Sequence, residues 1–313
     1  MKPLCTIIIP TIGRPKYFGP ALASAAAQTY TPLSVLVSDN AANPSIELAE
    51  IRKWAPNANL RLVRREPKMT PSAHMNLCFQ EAGGDYVMVL SDDDLIVPGY
   101  VSAAMDCILS DASVSVVLSR QEAIDENFLG PLSGLPITSS TLPGNEFVST
   151  WFREGSQGVL TMIPMLARRQ HILECGGLPE YPTGANSDNL LFFRLCLGAA
   201  LGLLSGGYYY RVYPNSSGLA MPWSELVLAV EISERDIFAL FKSGRLDRHT
   251  FFAMIRAGTR TLLARWKQLY RHRPGFENKI CPLFDVLRRI PKVGSRYGIQ
   301  AVPLVHKFLR HRP

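Results

Sequence analysis

Along the first hundred residues, short apolar runs alternate with longer stretches of mixed polarity. Cys5-Thr6-Ile7-Ile8-Ile9 runs into Pro10-Thr11, Leu33-Ser34-Val35-Leu36-Val37 into Ser38-Asp39-Asn40, and Tyr86-Val87-Met88-Val89-Leu90 into Ser91-Asp92-Asp93-Asp94. Apolar runs this short, rich in β-branched residues, predict buried strands. The segments 17–28, 45–54 and 72–82 between them predict helices, and Leu60-Arg61-Leu62-Val63 a weaker strand. Strands that alternate with helices predict a parallel α/β sheet. Ligands of such sheets lie beyond the carboxyl ends of the strands, and here three of those ends carry Thr11, Asp39 and Asp92 to Asp94.

Three consecutive carboxylates at the exit of a buried strand repel one another unless a cation or their own protonation relieves them. Mg²⁺ or Mn²⁺ would do so, because both take hard oxygen ligands and share their shell with substrate phosphates. A solvated acidic turn is the competing reading, since Asp favours turns and Pro98-Gly99 follows closely. Thr11 can equally cap a helix and Asp39 make a turn with Asn40.

These residues resemble a known family. Ile7-Ile8-Ile9-Pro10-Thr11 with Arg14, Ala27-Gln28-Thr29-Tyr30, Val37-Ser38-Asp39-Asn40, Asn76, Ala82-Gly83-Gly84-Asp85-Tyr86, and Leu90-Ser91-Asp92-Asp93-Asp94 with Pro98 look in order like a family 2 glycosyltransferase of the GT-A fold. The resemblance implies an α/β fold, a Rossmann-like, mostly parallel sheet flanked by helices. It covers about residues 1–222, with a nucleotide-sugar half at 1–98 and an acceptor half at 99–222. It implies that Asp39 binds the donor's base with Thr11 and Arg14 beside it, and it places Asn76 at the nucleotide too. The family's Asp-x-Asp motif assigns the metal to Asp93, with Asp94 as a second candidate ligand. Its first acid is replaced by Ser91, so Asp92 is expected at the ribose or helping the metal.

Gly176-Gly177-Leu178-Pro179-Glu180 and Ser187-Asp188-Asn189-Leu190-Leu191 are similar to the family segment in which an acidic pair precedes an acceptor-side helix. The implied general base is Asp188, with Ser187 in place of the first acid; a helix N-cap is the alternative. Arg211, after Tyr208-Tyr209-Tyr210, is similar to a basic loop that approaches the diphosphate, against a plain surface salt bridge. A base and a leaving group on opposite faces of the sugar imply in-line displacement with inversion. The stretch from Gly130 to Asn145 reads as a long loop.

Charge divides the chain unevenly. Residues 242–313 hold 17 Lys plus Arg against 3 Asp plus Glu, and residues 1–241 hold 16 against 23, so a net charge of +7 conceals a tail of +14. The region 223–313 is therefore expected to be a basic helical appendage. Apolar positions at near-helical spacing within 251–266 and 299–309 suit either an anionic membrane surface or packing on the catalytic domain. No nucleic-acid motif accompanies the charge, so no nucleic acid is expected as a partner.

The six cysteines, at 5, 78, 107, 175, 196 and 281, show no Cys-x-x-Cys pairing and read as reduced core thiols. Met1 to Pro10 reaches a proline before an apolar region develops, so no secretory leader is expected. The apolar run from Leu190 to Leu204 is too short to span a bilayer and contains Arg194. The combined expectation is a cytoplasmic inverting transferase, with peripheral attachment to the cytoplasmic face of the inner membrane as the alternative to a freely soluble one. It would use a nucleotide-diphosphate sugar donor, Mn²⁺ or Mg²⁺, and a glycan acceptor carried on a polyprenyl diphosphate, in bacterial O-antigen or capsule assembly. The Ser-Asp-Asp-Asp variant resembles deoxysugar transferases such as the abequosyltransferase group. A sugar nucleotidyltransferase stands as an alternative, although Thr11-Ile12-Gly13-Arg14 makes a poor phosphate loop. A non-catalytic binding module is the other, since positions 91 and 187 lack acids.

Overall fold

In the computed structural model, residues 1–41, 46–128, 132, 136–154, 164–213 and 222–254 are described, the side chains of 152–154 excepted. The contacts divide the chain into two compact units, Met1–Phe251 and Phe252–Pro313. The basic segments 255–266 and 299–309, Cys281 and part of the 130–145 stretch lie outside the described residues.

The first unit is built on a sheet of nine strands among the described residues, ordered β3-β2-β1-β4-β8-β6-β9-β5, with β7 also on β9. Strands β1 (Cys5–Thr11), β2 (Leu33–Asp39), β3 (Leu60–Arg64) and β4 (Tyr86–Val89) form its parallel half. Helices α1 (Pro15–Ala26), α2 (Leu48–Trp54) and α3 (Pro71–Glu81) connect them. β1 is flanked on both sides, and Ile7, Ile8 and Ile9 are fully buried, which explains why it reads as continuously apolar rather than alternating. Its register sets Thr11 opposite Asp39, and the Asn40 amide donates to the Thr11 carbonyl at 2.9 Å.

The remaining half is mixed. It holds β5 (Leu95–Ile96), β6 (Val114–Asp125), β7 (Ser139–Pro143), β8 (Leu166–Arg168) and β9 (Ala200–Val212). β8 runs antiparallel between β4 and β6, while β9 pairs parallel with β6 and antiparallel with β5 and β7. Part of the expected 130–145 loop is thus strand β7 and the start of α5 (Gly144–Glu154). α4 (Tyr100–Ser110) buries Tyr100, Val101, Ala104, Met105 and Ile108. Gln28, from the Ala-Gln-Thr-Tyr segment, ties α1 to that helix by donating to the Val97 carbonyl at 2.8 Å and accepting the Val101 amide at 2.9 Å.

α6 (Arg169–Glu174) and α7 (Ser187–Cys196) follow β8, and α8 (Trp223–Lys242) follows β9. α8 buries Ala229, Val230, Ser233, Glu234, Ile237 and Leu240, a stripe at helical spacing that packs on α7 and on the 3₁₀ turn Pro182–Gly184. α8 thus belongs to the first unit, which ends at Phe251. No helix among the described residues is long and apolar enough to cross a membrane; the 190–204 run forms most of α7 and the start of β9. The five described cysteines are free, and four of them are buried.

α3 carries a buried histidine. His74 is 4% exposed, with Nε2 at 2.8 Å from the Ser38 hydroxyl. Burial first, then the Arg65 charge, lowers its pKa from 6.5 to about 4. The folded protein holds the ring neutral where the unfolded chain takes up a proton. Stability therefore falls as pH drops through 6.5 and levels off below 4, a loss on the order of 2–3 kcal/mol from this group. Urea unfolding of the parent and His74→Gln at pH 7 and 4.5 checks this. The parent should lose about 2 kcal/mol more than the variant, and parallel losses would refute the assignment.

Candidate active site

The carboxyl edge of the parallel half collects most of the polar residues singled out in the sequence. The Thr11 hydroxyl donates to Asp92 Oδ2 at 2.6 Å and accepts the Gly13 amide at 3.0 Å. Arg14 Nη1 donates to Asp92 Oδ1 at 2.6 Å and to Asp93 Oδ2 at 3.0 Å. The Tyr213 hydroxyl reaches the same Asp93 oxygen at 2.7 Å, and the Ser91 hydroxyl donates to the other. Burial raises the Asp92 pKa, while the Arg14 charge and the Thr11 hydroxyl pull against it. Burial also works against the Arg14 charge, but Asp92 and Asp93 outweigh it and raise the guanidinium's pKa. The acidic run is therefore a paired electrostatic cluster rather than a solvated turn, with Asp92, Asp93 and Asp94 each 9% exposed or less.

Asp39 sits beside this cluster across the β1–β2 ladder. It is 1% exposed, with one oxygen accepting the Ile46 amide at 3.3 Å. Asn40 extends the edge by exchanging hydrogen bonds with Met69, donating at 3.1 Å and accepting at 2.8 Å. Thr70 then caps α3 through the Ala73 amide and donates from its hydroxyl to Glu180 at 2.8 Å. That contact leads to the loop before α7.

Asp188 lies half-buried in the first turn of α7. Asn186, in the left-handed conformation, occupies the N-cap position, so neither Ser187 nor Asp188 caps the helix. The Ser187 hydroxyl instead donates to the Gly184 carbonyl. The Tyr181 hydroxyl donates to Asp236 on α8, which braces the same loop from behind. The Thr70–Glu180 contact ties the loop before α7 to the edge that carries Asp39 and Asn40.

The family model described as Glycosyl transferase family 2 matches residues 6–175, more than half of the 313 residues. The chain belongs to this glycosyltransferase family. Among solved structures, the glycosyltransferase is similar to S. aureus TarS 1–349 in complex with UDP-GlcNAc, at 18% identity and a TM-score of 0.67, over 91% of this chain and 80% of that one. TarS 1–349 in complex with UDP gives 19% identity and a TM-score of 0.63 over 92% and 81%. The mannosyltransferase PcManGT from Pyrobaculum calidifontis, in complex with GDP-Man and Mn²⁺, gives 15% and 0.51 over 99% and 80%. At these identities the likeness shows the fold, which is GT-A. No curated protein matches the chain.

Three residues expected at the metal or the donor also make contacts that hold the fold together. Asp94, expected beside Asp93 as a metal ligand, spends its oxygens on the Tyr208 hydroxyl at 2.8 Å and the Arg211 amide at 2.9 Å. Burial, with the Asp93 charge adding to it, pushes its carboxyl up to about 7. Both contacts anchor β9 to the acidic run. Asn76, expected at the nucleotide, donates to the Leu178 carbonyl and accepts the Leu178 amide, both at 2.8 Å. Gly177 makes room for it: at φ +64 a Cβ there would stand 2.3 Å from Asn76 Oδ1.

Arg211, expected near the diphosphate, is 5% exposed, and its Nε donates to the Asp93 carbonyl at 2.9 Å. Its Nη1 reaches the carbonyls of Asp125 at 2.9 Å and Phe128 at 3.0 Å, while its guanidinium lies 4.9 Å over the Tyr17 ring. Nη2 is buried without a hydrogen-bond partner among the described residues. Tyr17, Tyr208 and Tyr213 were not singled out, although Tyr17 also packs 5.2 Å from Tyr213. The signal for two of them was the Tyr208-to-Tyr213 run with its embedded arginine.

The donor atoms at Asp93 suit Mg²⁺ or Mn²⁺ in kind, being carboxylate and hydroxyl oxygens with no sulfur or imidazole. Among the described residues no three acidic, His or Cys side chains form a complete ligand group, so these residues offer a partial shell. Such a shell fits an ion of this size, which takes one or two carboxylates and completes its coordination with water and substrate phosphates.

Proposed function

We propose that this family 2 glycosyltransferase is an inverting enzyme that moves a sugar from a nucleotide-diphosphate donor to a hydroxyl of a glycan acceptor. The observation that carries the reading is the Thr11–Arg14–Asp92–Asp93 cluster at the carboxyl end of β1 and β4, with Asp39 one strand away. Asp39 would accept a hydrogen bond from the base, and Arg14, with Nη2 of Arg211, would face the diphosphate. Asp93, aided by Asp92, would hold Mn²⁺ or Mg²⁺, which when bound offsets charge developing on the leaving diphosphate. Asp188 would take the proton from the acceptor oxygen as it attacks the anomeric carbon. With the leaving group and Asp188 on opposite faces, attack inverts the anomeric centre without a covalent enzyme intermediate.

TarS and PcManGT are described in complex with UDP-GlcNAc and GDP-Man, which supports a nucleotide-sugar donor without naming one here. The basic charge of 242–313 supports an acceptor presented at an anionic membrane face, such as a polyprenyl-diphosphate-linked glycan in surface polysaccharide assembly.

Calorimetric titration of UDP, dTDP, GDP and CDP, with Mn²⁺ or Mg²⁺ and then with chelator, tests the reading. One nucleotide should bind with metal, and its affinity should fall at least tenfold with chelator. Failure of all four to bind folded protein under every metal condition would overturn it.

A further inference from the structure

The edge holds two arginines of opposite character. Arg211 is fixed, enclosed and hydrogen-bonded to three main-chain carbonyls. Arg14 bonds to side-chain charges, and its side chain is 25% exposed, so it has a path to solvent. Its backbone is anchored independently, because the amides of Tyr17 and Phe18 both donate to its carbonyl at 3.0 Å. The side chain can therefore swing without unravelling the start of α1.

The grip of Arg14 is placed unusually. One nitrogen, Nη1, spans Asp92 Oδ1 and Asp93 Oδ2, and Asp93 Oδ2 also accepts from Tyr213. The cation that neutralises the acidic run thus occupies the carboxylate oxygen to which the function above assigns the divalent ion. Two cations cannot share that oxygen at ordinary contact distances without strong mutual repulsion.

We propose that Arg14 is an exchangeable counter-ion: it holds Asp92 and Asp93 in the unloaded protein, competes with the divalent ion for Asp93, and on release turns to the donor's diphosphate. This rests on the reading of Asp93 as the metal carboxylate. The exchange makes metal and diphosphate loading mutually reinforcing, since the ion frees a guanidinium and the diphosphate receives it. It also keeps two buried carboxylates from facing each other unpaired before the substrate arrives.

The test is the affinity of Mn²⁺ alone, read from the paramagnetic resonance of the free ion, and of the selected nucleotide in chelator, each for the parent and Arg14→Gln. Exchange predicts shifts of opposite sign: Mn²⁺ binds on the order of tenfold tighter to the variant, while metal-free nucleotide binds several-fold more weakly. A bracing role for Arg14 would weaken both, and that result, or an unchanged Mn²⁺ affinity, overturns the proposal. Asp93→Asn separates the two claims: if it binds Mn²⁺ as the parent does, the metal assignment itself fails. Should the glutamine variant not fold, Arg14→Met keeps the packing of the stem and carries the same expectation.

Discussion

Asp188→Asn is expected to lower kcat for sugar transfer by a factor on the order of 10²–10⁴, with nucleotide affinity changed by less than about twofold. The amide matches the carboxylate in size and keeps an acceptor oxygen, but it cannot take a proton from the acceptor hydroxyl. Because Asn186 holds the N-cap position, the substitution removes no cap, and the loss of a favourable first-turn charge costs the helix about 0.5 kcal/mol. Asp188 stands on α7, a different element from those that carry the Thr11–Arg14–Asp92–Asp93 cluster, which is why donor binding should survive. Steady-state transfer at saturating donor, together with calorimetry, checks both halves. Retention of full transfer activity would remove Asp188 from the chemistry.

Asp93→Asn is expected to act on the other side of the reaction, with metal-dependent nucleotide affinity and transfer rate both falling on the order of 10²-fold or more. Asp93 meets Ser91, Tyr213 and Arg14 through its side chain and Arg211 through its carbonyl. The asparagine keeps the Arg211 contact and can still accept from two of the three side chains, so thermal unfolding should move little. The loss should appear with Mn²⁺ or Mg²⁺ present and shrink in chelator, where the parent has also lost the ion. An equal loss in both conditions would indicate structural damage, and no loss would refute the assignment.

The parallel half of the fold was legible because burial on both faces leaves its own mark: Ile7-Ile8-Ile9 and Val87-Met88-Val89 have no polar side to show. The mixed half was not. Ser139–Pro143 is polar and mostly exposed, and it becomes a strand through pairing with β9 rather than by its own propensity. The candidate site divides the same way. A strand ending in three acids announces a need for positive charge, but which acid goes to which partner depends on residues distant in sequence. Asp94 is taken by Tyr208 and Arg211, Asp92 by Thr11 and Arg14, and Asn76 by Leu178, and no local pattern encodes those pairings. Ser91, read as a lost acid, donates its hydroxyl to Asp93 instead.

The family match ends at residue 175, before the loop that carries Tyr181 and Asp188, yet α8 reaches back to hold that loop through Asp236. A protein shortened at 222 would keep every acid of the candidate site while cutting away the strut behind the loop that leads to Asp188. On the proposed role of Asp188, chimaeras meant to exchange acceptor preference should carry 176–242 as a single cassette, so that the loop travels with its support.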